Sequence, residues 1–276
     1  MRIAAALRSA AAALSQASET ARLDAELLMA HALGISRSDL LLRHLQDEVP
    51  AGFAELLARR LRSEPVAYIT GFQEFYGRSF FVTPEVLIPR GDSETIVDAA
   101  LPLASGDARI LDCGTGSGAL LLTVLADRPE ASGVGIDASL GALAVAAANA
   151  ARLGLANRTR MLRRDWREPD WRSDLGYFDL LIANPPYVET NARLARDVIG
   201  WEPGSALFAG ADGLDDYRIL VPQLADLLAP GGAAVLEIGA GQADSVESIA
   251  RLAGFSCHRH RDLGGHERAL VLKRNA

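Results

Sequence analysis

Asn184-Pro185-Pro186-Tyr187 follows directly on the apolar run Phe178-Asp179-Leu180-Leu181-Ile182-Ala183, where a buried strand has to end. A side-chain amide oxygen, a backbone carbonyl and an aromatic ring are the parts needed to hold a planar NH2 group. The two oxygens accept its hydrogens and the ring covers its face. Prolines lack an N–H and fix φ, so the loop is stiff and the Pro185 carbonyl has no competing ladder partner. An amide or exocyclic amine is a weak nucleophile because its lone pair is delocalised. A site that captures both N–H bonds, on the Asn184 side-chain oxygen and the Pro185 carbonyl, and shields the amine under Tyr187, aims that lone pair at an electrophilic methyl group. The proton can leave after transfer, so no base with a displaced pKa is required. The pattern implies amino-methyl transfer; the alternative is a plain Asn-Pro turn.

A second constellation is Asp112-Cys113-Gly114-Thr115-Gly116-Ser117-Gly118. Placed between a strand and a helix, such glycines let backbone N–H groups approach a ligand at the helix N-terminus. Gly114, Gly116 and Ala119 also satisfy the loose Gly-x-Gly-x-x-Gly/Ala pattern, which keeps a nicotinamide dinucleotide open. Asp137, about 20 residues on, can accept hydrogen bonds from two ribose hydroxyls, which suits NAD and S-adenosyl-L-methionine equally; otherwise it caps the helix from Leu140. Asp165-Trp166 can meet an adenine by a carboxylate bond and a ring contact, or Trp166 can simply pack. The Asn-Pro-Pro-Tyr loop after the fourth strand favours S-adenosyl-L-methionine as the methyl donor.

The elements that must position these residues are legible in the apolar spacing. Residues 1–64 are expected to be helical, with Leu23, Leu27, Leu28 and Leu33 on one stripe and Gly34 as a stop. Ser36 and Asp39 form a capping box ahead of Leu40, Leu41 and Leu42. Pro50 should open a further helix with Phe53, Leu56, Leu57 and Leu61 buried. Residues 65–90, rich in Phe72, Phe75, Tyr76, Phe80, Phe81 and Val82 around Gly77-Arg78, are expected to be a β-hairpin linker. Residues 91–276 then alternate: strands 109–113, 133–137, 159–163, 178–183 and 233–238, with helices 119–126, 140–153, 214–228 and 243–253, and a turn at Pro230-Gly231-Gly232. Strands 255–260 and 268–273 close the chain, the short Asp262–His266 loop making the last one antiparallel. This is an α/β chain with a doubly wound sheet of seven strands.

Composition narrows the function classes. A formal charge of −7 over 276 residues argues against a broad phosphate-binding surface. Two cysteines support neither a disulfide framework nor a zinc site, and a reducing cytoplasm is expected. No apolar run is long enough to span a bilayer, and no export signal is read. His258, His260 and His266 are expected at the surface, as are Arg59, Arg60 and Arg62, with partner contact as the alternative for the arginines. A monomer suffices.

Taken together, these motifs resemble class I S-adenosylmethionine-dependent methyltransferases of the HemK/PrmC type, the release factor glutamine methyltransferases. The likeness covers nearly the whole chain. It includes Glu64-Pro65-Val66-Ala67-Tyr68-Ile69-Thr70-Gly71, Glu74-Phe75-Tyr76-Gly77, Val86-Leu87-Ile88-Pro89-Arg90, Glu202-Pro203, Ala206-Leu207, Asp212-Gly213-Leu214, Tyr217-Arg218, Asp262-Leu263 and Arg268. The resemblance implies a helical domain that holds a class 1 peptide chain release factor, with no direct nucleic-acid contact. It implies methylation of the side-chain nitrogen of the glutamine in a Gly-Gly-Gln loop, with S-adenosyl-L-homocysteine as product. Gly114, Thr115, Gly116, Ser117, Gly118, Asp137, Asp165, Trp166 and Asn184 would contact the donor, and Asn184, Pro185, Pro186 and Tyr187 the glutamine.

Three positions depart from that pattern: Gly91-Asp92-Ser93-Glu94 where the family continues Pro-(Glu/Asp)-Thr-Glu, Arg164 in place of a glycine, and Cys113 at an apolar position. Other readings remain open: a ribosomal-protein glutamine methyltransferase, a nucleobase amino-methyltransferase acting on adenine N6 or guanine N2, and a nicotinamide-binding protein. Glu94 and Asp92 either cap the helix from Thr95 or approach the methionine amine. Glu237 and Gly239 could lie near the site without an assigned role.

Overall fold

The computed structural model describes residues 1–275 and divides into two compact units, residues 1–72 with 194–202, and residues 73–193 with 203–276. The first unit is helical: Ile3–Leu14, Ala21–Leu33, Arg37–Asp39 running on as a wider turn through Leu40–His44, Phe53–Leu61 and Val66–Thr70. Ile3, Leu7, Leu14, Leu28, Met29, Leu40 and Phe53 form its core. Gly34, at φ 67°, ends the second helix, and the Ser36 hydroxyl accepts from the Asp39 N–H at 3.0 Å, as the capping pattern requires.

Several expectations for this unit are corrected. Pro50 stays outside the helix, which begins after Gly52 turns the chain at φ 93°. Leu61 and Leu23 are exposed, whereas Arg60 is buried. The Arg60 guanidinium bonds Asp24 at 2.7 Å and Asp197 at 3.2 Å, and so fastens the returning segment 194–202 to the helices. Arg59 is paired with Glu64, leaving Arg62 as the exposed member of the trio. The expected linker begins with a helix, Val66–Thr70.

In the second unit β1 (Phe72–Phe75) and β2 (Arg78–Phe81) form a hairpin. Tyr76 and Gly77 both have positive φ, the tight turn that matches strand twist. The main sheet contains β3 (Arg109–Cys113), β4 (Ser132–Asp137), β5 (Thr159–Arg163), β6 (Phe178–Ala183), β7 (Leu228–Glu237), β8 (Phe255–Arg261) and β9 (Glu267–Arg274), in the order β5-β4-β3-β6-β7-β9-β8. The pairs from β5 to β7 are parallel, and β9 runs antiparallel to both β7 and β8.

Both faces of the sheet are covered. Leu111, Leu181, Ala234 and Leu270 face a core shared with Tyr217, Leu220 and Val246. Ile110, Leu180, Val235 and Ala269 face another shared with Ile96, Leu121 and Val124. Period-two alternation of apolar side chains therefore splits between two interiors, which is why the strands read as continuous apolar runs. Pro230-Gly231-Gly232 is not a separate turn: β7 runs through it, with the irregularity taken up against Phe178 and Leu180 of β6. The helix before it stops at Leu224 and a 3-10 turn, Ala225–Leu227, completes the connection. Among the described residues no helix is long and apolar enough to cross a membrane.

Candidate active site

Strand order reverses beside β3, whose neighbours β4 and β6 carry the chain in opposite directions across the sheet. In such sheets ligands bind at the carboxyl ends of the strands at this switch point. A cavity of about 320 Å3 lies there, lined by residues that follow β3, β4, β5 and β6: Gly114, Asp137, Trp166 and Asn184 among them.

The glycine loop is tied to β4 before any ligand is considered. Gly114 and Thr115 donate their N–H groups to the Ile136 carbonyl at 2.9 and 2.8 Å. Gly116 donates to Asp137 Oδ2 at 3.0 Å, and Ser139 donates to Asp137 Oδ1 at 2.9 Å. Asp137 thus braces the loop, while the cap of the following helix is Ser139, whose hydroxyl accepts from the Ala142 N–H. Burial raises the Asp137 pKa, and the backbone N–H bonds oppose that rise. Thr115 and Ser117 line the cavity beside Gly114 and Gly116; Gly118, the residue that starts the helix Ala119–Asp127, does not.

Trp166 explains the first glycine. A β-carbon on Gly114, which has φ 78°, would lie 3.2 Å from the Trp166 ring. The indole is held by Asp216, a buried carboxylate that accepts from Trp166 Nε1 at 2.9 Å and from Arg167 at 2.8 Å. Asp165 also lines the cavity, and one of its oxygens accepts from the Arg167 N–H. Arg164 does not disturb this turn. Its φ is not positive, so no glycine is demanded, its N–H donates to the Asp137 carbonyl at 3.1 Å, and its side chain turns to Asp174.

Asn184 emerges from β6 into the cavity, and its Nδ2 donates to the Ser93 hydroxyl over a long 3.5 Å. Pro186 also lines the cavity, whereas Pro185 and Tyr187 do not. Tyr187 is half-buried, and its hydroxyl donates to Glu237 Oε1 at 3.2 Å. Its carbonyl accepts from Gln242 Nε2 at 3.1 Å, and a β-carbon on Gly213 would come within 2.3 Å of that carbonyl oxygen. The following residues pair with segment 207–210 through Val188 N–H to the Leu207 carbonyl and Ala209 N–H to the Val188 carbonyl. This pairing accounts for the Ala206-Leu207 and Asp212-Gly213-Leu214 stretches that accompany the tetrapeptide in the sequence.

Sequence reasoning assigned no role to three buried acids. Asp112 accepts from the Thr115 hydroxyl at 2.7 Å with one oxygen, has no partner among the described residues for the other, and is pushed by burial up to about 7. Glu237, at the end of β7, is likewise raised by burial to about 7. Asp216 could have been suspected only from its place after a loop near Tyr217. Ser93, at the end of the short turn Gly91–Ser93, is buried between Asn184 and Glu237. Asp92 pairs instead with Arg268 at 2.6 Å, and Glu94 accepts from the Tyr76 N–H at 2.8 Å, so Glu94 anchors the hairpin turn. Cys113 is wholly buried in the core, a packing role. His258 and His260 stack edge to face at 5.0 Å in β8, away from the cavity lining.

Known proteins match this chain along both units. The family described as "PrmC N-terminal domain" matches residues 5–71, and that described as "Methyltransferase small domain" matches residues 95–201. A "Release factor glutamine methyltransferase" of Rhodospirillum rubrum is 42% identical over 265 residues, spanning 94% of this chain and 80% of that protein. One from Cereibacter sphaeroides is 43% identical over 93% of this chain and 92% of that protein. A solved methyltransferase from Pyrococcus furiosus shares the fold, with a TM-score of 0.54 at 17% identity over 79% of this chain and 98% of that one. With such identity over more than nine-tenths of its length, the chain belongs to the release factor glutamine methyltransferases.

Proposed function

We propose that this protein methylates the side-chain amide nitrogen, N5, of the glutamine in the Gly-Gly-Gln motif of class 1 release factors, using S-adenosyl-L-methionine. The observation that carries this reading is Asn184. It lines the same cavity as the glycine loop and Asp137, and its Nδ2 is engaged by Ser93, which leaves Oδ1 as the atom able to accept an N–H.

The residues present fit the methyl donor. Gly114 has no β-carbon, Asp137 stands at the end of β4 beside the loop's N–H groups, and Trp166 is fixed by Asp216 as a flat apolar wall. Gly114, Thr115, Gly116, Ser117, Asp137, Asp165 and Trp166 would hold the donor, with Gly118 shaping the loop. When bound, S-adenosyl-L-methionine supplies an electrophilic methyl on sulfur and is released as S-adenosyl-L-homocysteine. The chain's own task is orientation. Asn184 Oδ1 accepts one amide hydrogen, the Pro185 carbonyl accepts the other, and Tyr187 closes the far side of the loop. The nitrogen then loses its proton after methylation, without a dedicated base.

The helical unit is the docking module in this reading, its fold secured by the Arg60 ion pairs. The expected setting is cytoplasmic and the expected state monomeric. Titration with S-adenosyl-L-methionine and with NADH tests the donor assignment: heat on the first alone is expected, and binding of NADH alone would end the methyltransferase reading.

A further inference from the structure

We infer that Glu237 is a positioning residue for the acceptor loop, acting on Asn184 through Ser93 and on Tyr187 directly. The inference rests on the amide-methylating reading for its kinetic consequence only. Both ends of the tetrapeptide reach one carboxylate. Tyr187 donates its hydroxyl to Glu237 Oε1 at 3.2 Å, the buried Ser93 hydroxyl faces the same carboxylate and holds its pKa down, and Asn184 Nδ2 donates to Ser93 Oγ at 3.5 Å. Among the described residues Glu237 Oε2 has no partner, and the side chain is buried at the end of β7, so the backbone holds it firmly.

The direction of this relay is fixed by proton count. A serine hydroxyl has one hydrogen. When Glu237 is ionised that hydrogen goes to the carboxylate, and Ser93 Oγ can only accept. Asn184 must then present Nδ2 to Ser93, because its Oδ1 would face an oxygen with no hydrogen to give. Oδ1 is turned the other way, as the atom left to receive an N–H from the acceptor. When Glu237 is protonated, its own O–H can donate to Ser93, the Ser93 hydrogen is released towards Asn184, and either orientation of the amide becomes admissible.

The groups facing Glu237 make this proton change accessible. From the turn Gly91–Ser93 come Asp92 and Ser93, from the acceptor loop Tyr187, and from the helix Asp215–Leu224 comes Tyr217, whose hydroxyl donates to the Glu237 carbonyl at 2.7 Å. Arg268, on β9, is held by Asp92 at 2.6 Å and Asp262 at 3.1 Å. Burial raises the Glu237 pKa to about 7; Arg268 lowers it and Asp92 raises it.

The test is a titration of the Asn184 side-chain NH2 resonances, assigned by their loss in Asn184→Ala, from about pH 5 to about pH 9. In the parent they should move with a midpoint near the Glu237 ionisation, about 7. The movement should vanish in Glu237→Gln and in Ser93→Ala. Resonances insensitive to pH in the parent, or still titrating in Ser93→Ala, would overturn the inference. This readout requires no turnover, so an inactive parent would count against the proposed function alone. In an active parent, Glu237→Gln should lower kcat about tenfold with the KM for S-adenosyl-L-methionine unchanged, as expected for a lost charge-assisted bond. Parent-like kcat in that variant would likewise overturn it.

Discussion

Replacing Asn184 with alanine removes the side-chain acceptor that the Asn-Pro-Pro-Tyr loop brings into the cavity. The backbone at this point is held independently of the side chain: Ala183, its neighbour, pairs with Cys113 on one side and Leu236 on the other, in the middle of the sheet. Among the described residues the side-chain bond lost is the 3.5 Å contact with Ser93, so stability should fall by no more than about 1 kcal/mol. Asp137 and the glycine loop are untouched, and donor affinity should change only a few-fold. Removing a preorganised hydrogen-bond partner costs about 2.7–4 kcal/mol at the barrier, or roughly 100- to 1,000-fold in kcat. Ser93→Ala leaves Oδ1 in place and loosens only its orientation, and about fivefold is expected. Single-turnover methyl transfer at saturating donor, with donor binding measured separately by calorimetry, reads both quantities. Turnover of Asn184→Ala within tenfold of the parent, or a loss that resides wholly in donor affinity, would refute the assignment.

Gly114→Ala should weaken binding of S-adenosyl-L-methionine by about tenfold, since the left-handed φ costs roughly 1–2 kcal/mol and the new carbon crowds the Trp166 ring; unchanged affinity by calorimetry would be the contrary result. Asp112 titrates at about 7 in the folded chain against an ordinary 3.8, so the native state binds the extra proton and stability falls as pH rises between those values. Asp112→Asn should therefore raise the melting temperature progressively from pH 4 to pH 7, by a free energy on the order of a few kcal/mol, and level off above; a difference independent of pH would contradict the buried acid. Arg60→Ala strands Asp24 in the helical unit and should destabilise that unit by about 3–5 kcal/mol in urea melts, whereas a loss under about 1 kcal/mol would mean that the pair is spared by water.

The strands, the glycine loop and the cavity position of Asn184 were legible because each depends on local pattern: apolar runs ended by glycine or proline, at lengths that only a covered parallel sheet accommodates. What was not legible depends on pairing across long sequence distances. Arg60 reads as one of three surface arginines until Asp24 and Asp197, 36 and 137 residues away, are brought to it. Ser93 looks like a departure in a weakly matching segment, and only the fold sets it between Asn184 and Glu237. Pro230-Gly231-Gly232 carries strong turn chemistry, yet neighbouring β6 draws it into the ladder. Tyr187 shows the same limit. Its ring suggested a lid over the acceptor, while its hydroxyl is committed to Glu237 at the back of the loop.

The most direct test of the account is to incubate the protein with a class 1 release factor and S-adenosyl-L-methionine carrying a labelled methyl, and to map the label by tandem mass spectrometry. The expected result is one methyl on the side-chain nitrogen of the Gly-Gly-Gln glutamine, absent with Asn184→Ala. Label on another residue or on nucleic acid, or none on the release factor while the donor binds, would contradict it.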